Sequence, residues 1–352
     1  MNPEPQSAAG AFSHDLAVVY LARFAEGPKP VAGFVKSYAR HDAGIPHDRV
    51  VIRKGFSGQG TAQDRIIAPW SRHAYDVTDD GFDITAYAQV AAQLPHKHVV
   101  FLNTFSEIVA DSWLRKLHAA MQDPAVGIAG ATGSFESLRS SMKRVNKGWW
   151  LFENKLSPAP TGSRRLIRFV RKLLPRRFGI RVASRVITYF VASSKKRNFN
   201  PALEDKFETF WQQEIRPGGT LEYLSSVPAF PNVHMRTNAF MIDRQIFLDT
   251  QPAAIRDKKD SYLFESGQNG LTQQIFQRGL KVVIVGADGQ RYDTDRWAES
   301  GTFRLGDQRN LLVKDNQTRA FDNMDASEKR AFAELTWGEA SRPAQADSDC
   351  MI

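Results

Sequence analysis

Side chains able to do chemistry gather in three tracts of this sequence. The first runs His98-Val-Val-Phe-Leu-Asn-Thr-Phe-Ser-Glu107 and continues through Trp113-Leu114 to Gly127-Ile-Ala-Gly-Ala-Thr-Gly-Ser134. The second is Arg236-Thr-Asn-Ala-Phe-Met-Ile-Asp-Arg244, followed by Phe247. The third is Tyr262-Leu-Phe-Glu-Ser-Gly267, then Leu271-Thr272, Arg278-Gly279 and Leu280-Lys-Val-Val-Ile-Val285. Several common chemistries lack their signature. There is no GxxxxGK[ST] phosphate loop, no HExxH zinc helix, no GxGxxG after a strand and no GxSxG elbow. A Ser-His-Asp set without that elbow stays open. Gly55-Phe-Ser-Gly-Gln-Gly60 reads as a loop without the helix that would aim a dipole at phosphate. His96 and His98 flank a lysine with no carboxylate or cysteine spaced to complete a metal site, so they read as surface histidines.

These tracts need elements to position them. Leu16-Ala-Val-Val-Tyr20, Val50-Val-Ile52, Tyr75-Asp-Val77, His98–Leu102 and Val126–Gly130 are short apolar runs of the buried-strand type. Helical spacing lies between them: residues 29–43, Ile84 to about Leu94 with Asp83 as its N-cap, and the Trp113–Met121 stretch. Alternating strands and helices predict an α/β fold with a mainly parallel sheet, resumed by Ala239–Ile242 and Leu280–Val285. In such sheets ligands sit beyond the carboxyl ends of the strands, which directs attention to the loops after Tyr20, Ile52, Val77 and Leu102.

Composition agrees with a globular chain. Its 352 residues are 42% hydrophobic and 24% charged. No run reaches the roughly 18–20 apolar residues that span a bilayer. No secretory signal is legible at the N-terminus, and the single cysteine, Cys350, excludes an internal disulfide framework and a thiolate zinc site. A cytoplasmic location is expected. Charge is uneven: Lys143 to Arg197 holds 16 Lys and Arg against one acid, Glu153, a net +15. The rest, with 31 basic and 37 acidic residues, is at −6. Within the basic segment, Ser163–Leu174 reads as an amphipathic helix stopped by Pro175, and Phe178 to Val191 as a second apolar and basic stretch.

The order of the three tracts resembles the family 2 glycosyltransferases of the GT-A fold, over about residues 15–135 and 228–290. The resemblance implies one GT-A-like domain, 15–337, with a Rossmann-related sheet, and leaves the basic insert and the C-terminal third unmatched. The sequence pattern itself reads as a basic helical insert at 135–227, a flexible lead at 1–14 and a disordered, polar tail at 338–352. It implies an enzyme that moves a sugar from a nucleotide-sugar donor to a cell-surface polysaccharide or lipid-linked acceptor. By position it implies Glu265 as catalytic base and Arg23, Asp80, Asp83, Asn103, Arg236 and Asn238 as donor-binding residues. The strand-end motif of the family supplies an acid for Mg2+ or Mn2+; here Asn103 and Phe105 stand there, with Glu107 two residues on. Arg53-Lys-Gly-Phe56 replaces the family's "D-D-x-S" and Ser266 follows Glu265, so a cation among Arg23, Arg53, Lys54 and Arg236 is the alternative counter-charge for a diphosphate.

Each residue also has a plainer reading. Glu265 would pair with Lys258 or Lys259, Asn103 cap the following helix, Glu107 begin that helix in solvent, Arg236 lie on the surface, and Asp80-Gly81 form a tight turn. The chain as a whole also has two competing readings, a non-catalytic glycosyltransferase-like scaffold and a peripheral membrane-binding protein. Trp149-Trp150 is insert core or a lipid-interface pair. Nucleic acid is the weaker partner, because no recognition module is present and the charge is confined to one insert. An anionic membrane met by residues 163–197 at the inner face of the cell membrane is preferred, at about 1 kcal/mol per basic residue near the surface. The chain should therefore float with anionic vesicles in a density gradient, lose that association as salt rises, and lose it without residues 163–197.

Overall fold

The computed structural model describes residues 11–153, 201–252 and 255–341. The basic helix expected at 163–174 and the stretch 178–191 lie outside the described residues. Two compact units are present: Met1–Ser134 with Val233–Arg319, and Phe135–Asn232 with Ala320–Ile352.

In the first unit the strands are β1 (Leu16–Arg23), β2 (Asp48–Lys54), β3 (His73–Val77), β4 (His98–Leu102), β5 (Glu107–Ile108), β6 (Val126–Gly130) and β7 (Gly133–Ser134). After the excursion come β8 (His234–Met235), β9 (Phe240–Asp243), β10 (Lys281–Val285), β11 (Arg291–Tyr292) and β12 (Val313–Lys314). Eight of them form one sheet in the order β11-β10-β6-β9-β4-β1-β2-β3. The pairs β3-β2, β2-β1, β1-β4 and β6-β10 are parallel, and β9 runs antiparallel to both neighbours. The sheet is mixed and mainly parallel, as the alternation of runs predicts. Small pairs β5-β12 and β7-β8 flank it.

The apolar runs form strands because both faces are covered. Leu16 to Ala22 are all buried. Helix α1 (Pro28–Arg40) buries Val31 and Phe34, and Phe34 stacks on Tyr20 at 3.7 Å. Helices α3 (Asp83–Ala91) and α4 (Trp113–Ala120) bury Tyr87 and Val90, and Trp113, Leu114 and Leu117. Gly127 and Gly133 have a packing reason: a Cβ there would meet Ile275 Cγ2 at 2.7 Å and the Trp297 ring at 2.5 Å.

The structure corrects several local readings. Helix α2 (Ala62–Ile67) does follow the glycine-dense loop, but Thr61 and Asp64 close its N-terminus as a capping box that takes up the Thr61 and Asp64 N–H groups and sets a carboxylate where a phosphate would bind. Asp83 is the first residue of α3, whose N-cap is Phe82, and it makes no capping bond. Glu107 lies in β5 rather than at a helix start. Residues 338–341 are a 3-10 turn rather than tail. Residues 11–14 of the expected flexible lead are tied down: Phe12 stacks on His73 at 4.2 Å, and the backbone N–H groups of Ser13 and His14 donate to Asp48 at 3.0 and 2.9 Å.

The second unit is helical. Helices Leu138–Glu153 and Pro201–Ile215 face each other, the latter burying Phe207 and Trp211. Lys147 bonds Glu204 at 2.6 Å and Lys143 bonds Glu208 at 2.5 Å, so two of the sixteen basic side chains are matched by acids just beyond that run. Trp150 lies 5.9 Å from Phe207. Helix Ala326–Trp337 opens with a capping box from Asp325 and Glu328.

His96, expected at the surface, is buried and bonds Asp48 at 3.0 Å. Burial pushes His96 down despite the carboxylate; burial would raise Asp48, but the bonds from His96, His14 and Ser13 outweigh it and hold it below its ordinary value. Both shifts favour the fold at neutral pH, because acid must protonate a carboxylate and charge a histidine that the fold keeps deprotonated. Thermal stability should fall as pH drops from 7 through the histidine and then the carboxylate range. Asp48→Ala should cost about 1–3 kcal/mol at pH 7, with the gap to the parent closing towards pH 3.

Candidate active site

The winding of the sheet reverses at β1, which pairs with β2 on one side and β4 on the other. Crevices at such a switch point, outside the carboxyl ends of the strands, are where open α/β sheets bind ligands. The end of β4 is fastened there to β1: Tyr20 Oη donates to the Thr104 carbonyl at 3.0 Å and Thr104 Oγ1 to the Leu21 carbonyl at 2.9 Å.

The antiparallel course of β9 brings the second tract to this same end. Phe240 pairs with Phe101, so the residues before β9 meet those after β4. Asn238 Oδ1 accepts from the Asn103 N–H and the Ser106 hydroxyl, both at 2.9 Å. Asn103 Oδ1 accepts from the Phe105 N–H at 3.0 Å and the Ser106 hydroxyl at 3.3 Å, an Asx-type turn rather than a helix cap.

A cavity of about 200 Å³ opens here, lined by Asp83, Asn103, Arg236, Asn238, Glu265 and Asp315 among others. Glu265 sits on the helix Lys258–Ser266 and pairs with neither Lys258 nor Lys259; its Oε2 accepts from the Thr237 N–H at 3.3 Å and closely from the Thr237 hydroxyl. Arg236, for which a surface place was the alternative, is buried: it bonds Asp315 at 2.7 Å and lies 4.1 Å over the Phe303 ring. Burial would raise the Asp315 carboxyl, but Arg236 and the bonds from Thr318 outweigh this and hold it low. Asp83 is half-buried, and burial pushes it up against the pull of Lys54 and Arg23.

The remaining candidates surround the end of the sheet without lining the cavity. Arg23, at the end of β1, pairs with Asp79 at 2.7 Å and Glu26 at 3.3 Å; that bond raises Arg23 and lowers Asp79. Asp80 is exposed in the loop before α3. Arg53 is buried against Asp64 and Asp76, both at 3.0 Å. Lys54 is buried too, donates to the Gly81 carbonyl at 2.7 Å, and is pushed down by burial. Gly55, at φ +72, packs where a Cβ would touch Asp79 at 2.9 Å.

The strand-end residues do not fit a divalent cation. The Asn103 amide oxygen is engaged twice, Phe105 has no ligand atom, and Glu107 pairs with Arg319 at 3.2 Å while Arg319 also donates to the Phe105 carbonyl at 3.0 Å. Among the described residues no group of three or more His, Cys, Asp or Glu is gathered.

No protein-family model matches this sequence, and no curated protein matches it. Among solved structures, S. aureus TarS aligns at 16% identity over 32% of this chain and 20% of its own, with a TM-score of 0.27. The mannosyltransferase PcManGT from Pyrobaculum calidifontis aligns at 13% over 37% of this chain and 38% of its own, at 0.27. The mannosyltransferase Ktr4p from S. cerevisiae aligns at 10% over 74% and 64%, at 0.33. This chain thus spans a fifth of TarS and under two thirds of the other two, and at these scores the likenesses carry no argument. The fold rests on its strand order.

Asp315 belongs to this site and lies outside all three tracts, while Thr104, Ser106 and Thr237 lie within them but carried no role in the sequence reading. Asp315→Ala would leave the buried Arg236 guanidinium without its carboxylate. It should lower stability to chemical denaturation by about 3–5 kcal/mol, the usual cost of removing one partner of a buried pair.

Proposed function

We propose that this chain is a glycosyltransferase that moves a sugar from a nucleotide-sugar donor to a cell-surface polysaccharide or lipid-linked acceptor. One observation carries the reading: Glu265, oriented by Thr237, lines the same cavity as Asn103 at the carboxyl end of β4, beside the switch point. A carboxylate held there suits a general base. In this reading Glu265 takes the proton of the acceptor hydroxyl as its oxygen bonds the anomeric carbon and the nucleoside diphosphate leaves. Asn103 and Asn238 hold the donor, and Arg23, at the end of β1, supplies counter-charge to the phosphates. Asp83, at the start of α3, and Asp80, in the loop before it, complete the donor-binding set in this reading. Because the strand-end residues do not fit Mg2+ or Mn2+, the counter-charge in this reading comes from Arg23.

Among the described residues no helix is long and apolar enough to cross a membrane. A lipid-linked acceptor would be met through residues 163–197 at an anionic surface. A second reading, a non-catalytic scaffold of the same fold, is favoured by the absence of a carboxylate at Asn103 and Phe105.

The test is a thermal-shift screen of nucleoside diphosphates and nucleotide-sugars, each with and without Mn2+. A bound donor at a hundred times its Kd should stabilise the fold by about 2.7 kcal/mol. Glu265→Gln should keep that shift and lower transfer by about 100-fold to 10,000-fold. Binding without any transfer by the parent chain would favour the scaffold.

A further inference from the structure

The cavity beyond β4 encloses only part of a nucleotide-sugar. At about 200 Å³ it is smaller than the roughly 300–1,000 Å³ of sites that surround a drug-sized ligand. One ring-sized group fits it, and its unused polar atoms state what that group must offer. Asn238 is 6% exposed; its Oδ1 is taken by Asn103 and Ser106, and its Nδ2 has no hydrogen-bond partner among the described residues. This nitrogen is not one of the sealed, orphaned polar atoms of the interior, so it is reached from the cavity, where water or a ligand acceptor meets it. Asn103 Nδ2 is likewise without a partner among the described residues.

The acceptors outnumber these donors. Asp83 makes no hydrogen bond or ion pair among the described residues, and Glu265 uses only Oε2. The cations nearby are spent: Arg236 is neutralised by Asp315, and Lys54 is buried beneath the loop with its bond given to Gly81. The lining therefore presents the carboxylates of Asp83 and Glu265 and the side-chain amides of Asn103, Asn238, Asn316 and Gln317, while its one cation, Arg236, is compensated by the third carboxylate, Asp315.

We propose, building on the transferase reading above, that this cavity is the sugar subsite and that it takes a neutral or amino sugar while rejecting one that carries a carboxylate or phosphate. Hydroxyl or ammonium hydrogens satisfy Asp83 and Glu265, and the two asparagine amides meet ring or hydroxyl oxygens. An added anion would instead lie beside two carboxylates in a half-buried site, a like-charge arrangement that is strongly disfavoured. Asp83 discriminates most, since Lys54 and Arg23 act on its carboxyl only from a distance and no protein donor among the described residues bonds it.

The full chain is titrated by thermal shift, in EDTA and in Mn2+, with adenosine, cytidine, guanosine, uridine and thymidine diphosphates. Matched nucleotide-sugars follow, differing only in a hexose hydroxymethyl group against its carboxylate. The neutral sugar should add stability beyond the bare nucleoside diphosphate and bind about tenfold or more tighter than the uronate. Asp83→Asn, checked for fold by circular dichroism, should narrow that gap; Glu265→Gln serves if Asp83→Asn does not fold. Equal binding of the pair, a uronate preference in either buffer, or a neutral sugar that adds nothing overturns the inference and leaves the transferase reading standing. If no nucleotide or nucleotide-sugar binds, the transferase reading falls and the inference with it.

Discussion

A single amide oxygen, Oδ1 of Asn238, ties the site together. By accepting from both Asn103 and Ser106 it joins the segment entering β9 to the turn leaving β4. The joint exists because β9 runs against its neighbours. A parallel strand in that slot would carry its leading residues to the opposite end of the sheet, away from the carboxyl ends of β1 and β4. With β9 reversed, Arg236, Thr237 and Asn238 arrive at the switch point, and Thr237 there receives Glu265 from a helix close behind. Three sequence tracts, the first more than a hundred residues before the other two, become one surface through one strand's direction.

Much of this was legible in the sequence, and the failures have physical causes. The parallel half of the sheet could be read because strands buried on both faces must be continuously apolar, as Leu16–Ala22 and Val99–Leu102 are. Glu265, Asn103, Arg236 and Asn238 could be placed by tract order and Asp83 by its loop, and the structure gathers all five on one cavity. Arg23 and Asp80 lie off it, because their strand and loop open on the β1 side of the crevice. Asp315 could not be foreseen: its partner is 79 residues away, and no local pattern announces a buried ion pair. His96 looked like a surface residue because a His-Lys-His triplet is polar, but the pairing with Asp48 depends on a chain segment 48 residues earlier.

Arg53 and Lys54, at the end of β2, look at first like a set of phosphate counter-charges. Their geometry argues for a different role. Arg53 binds Asp64, Asp76 and the Gly58 carbonyl, and Lys54 binds the Gly81 carbonyl, so both pin the loops beyond β2 and β3 to the sheet. These cations are buried, and withdrawing either from its partners would strand polar groups away from water. They shape the rim of the crevice.

The same accounting separates the cations that can be lent to a ligand from those that cannot. The Arg236–Asp315 side chains are 8% and 2% exposed, and opening such a pair leaves a buried charge uncompensated. Arg23–Asp79 and Arg319–Glu107 are 37% and 43%, and 37% and 45% exposed. Pairs so open to solvent are worth about 0–1 kcal/mol, so a phosphate can displace the carboxylate at little cost. These two arginines stand at the ends of the two strands that define the switch point, Arg23 leaving β1 and Arg319 over the turn leaving β4. The neutralising power of the site is therefore at its exposed margins, while the enclosed cavity keeps its unpartnered carboxylates. Under the proposed function, a ligand anionic at one end and rich in hydroxyls at the other would match that division.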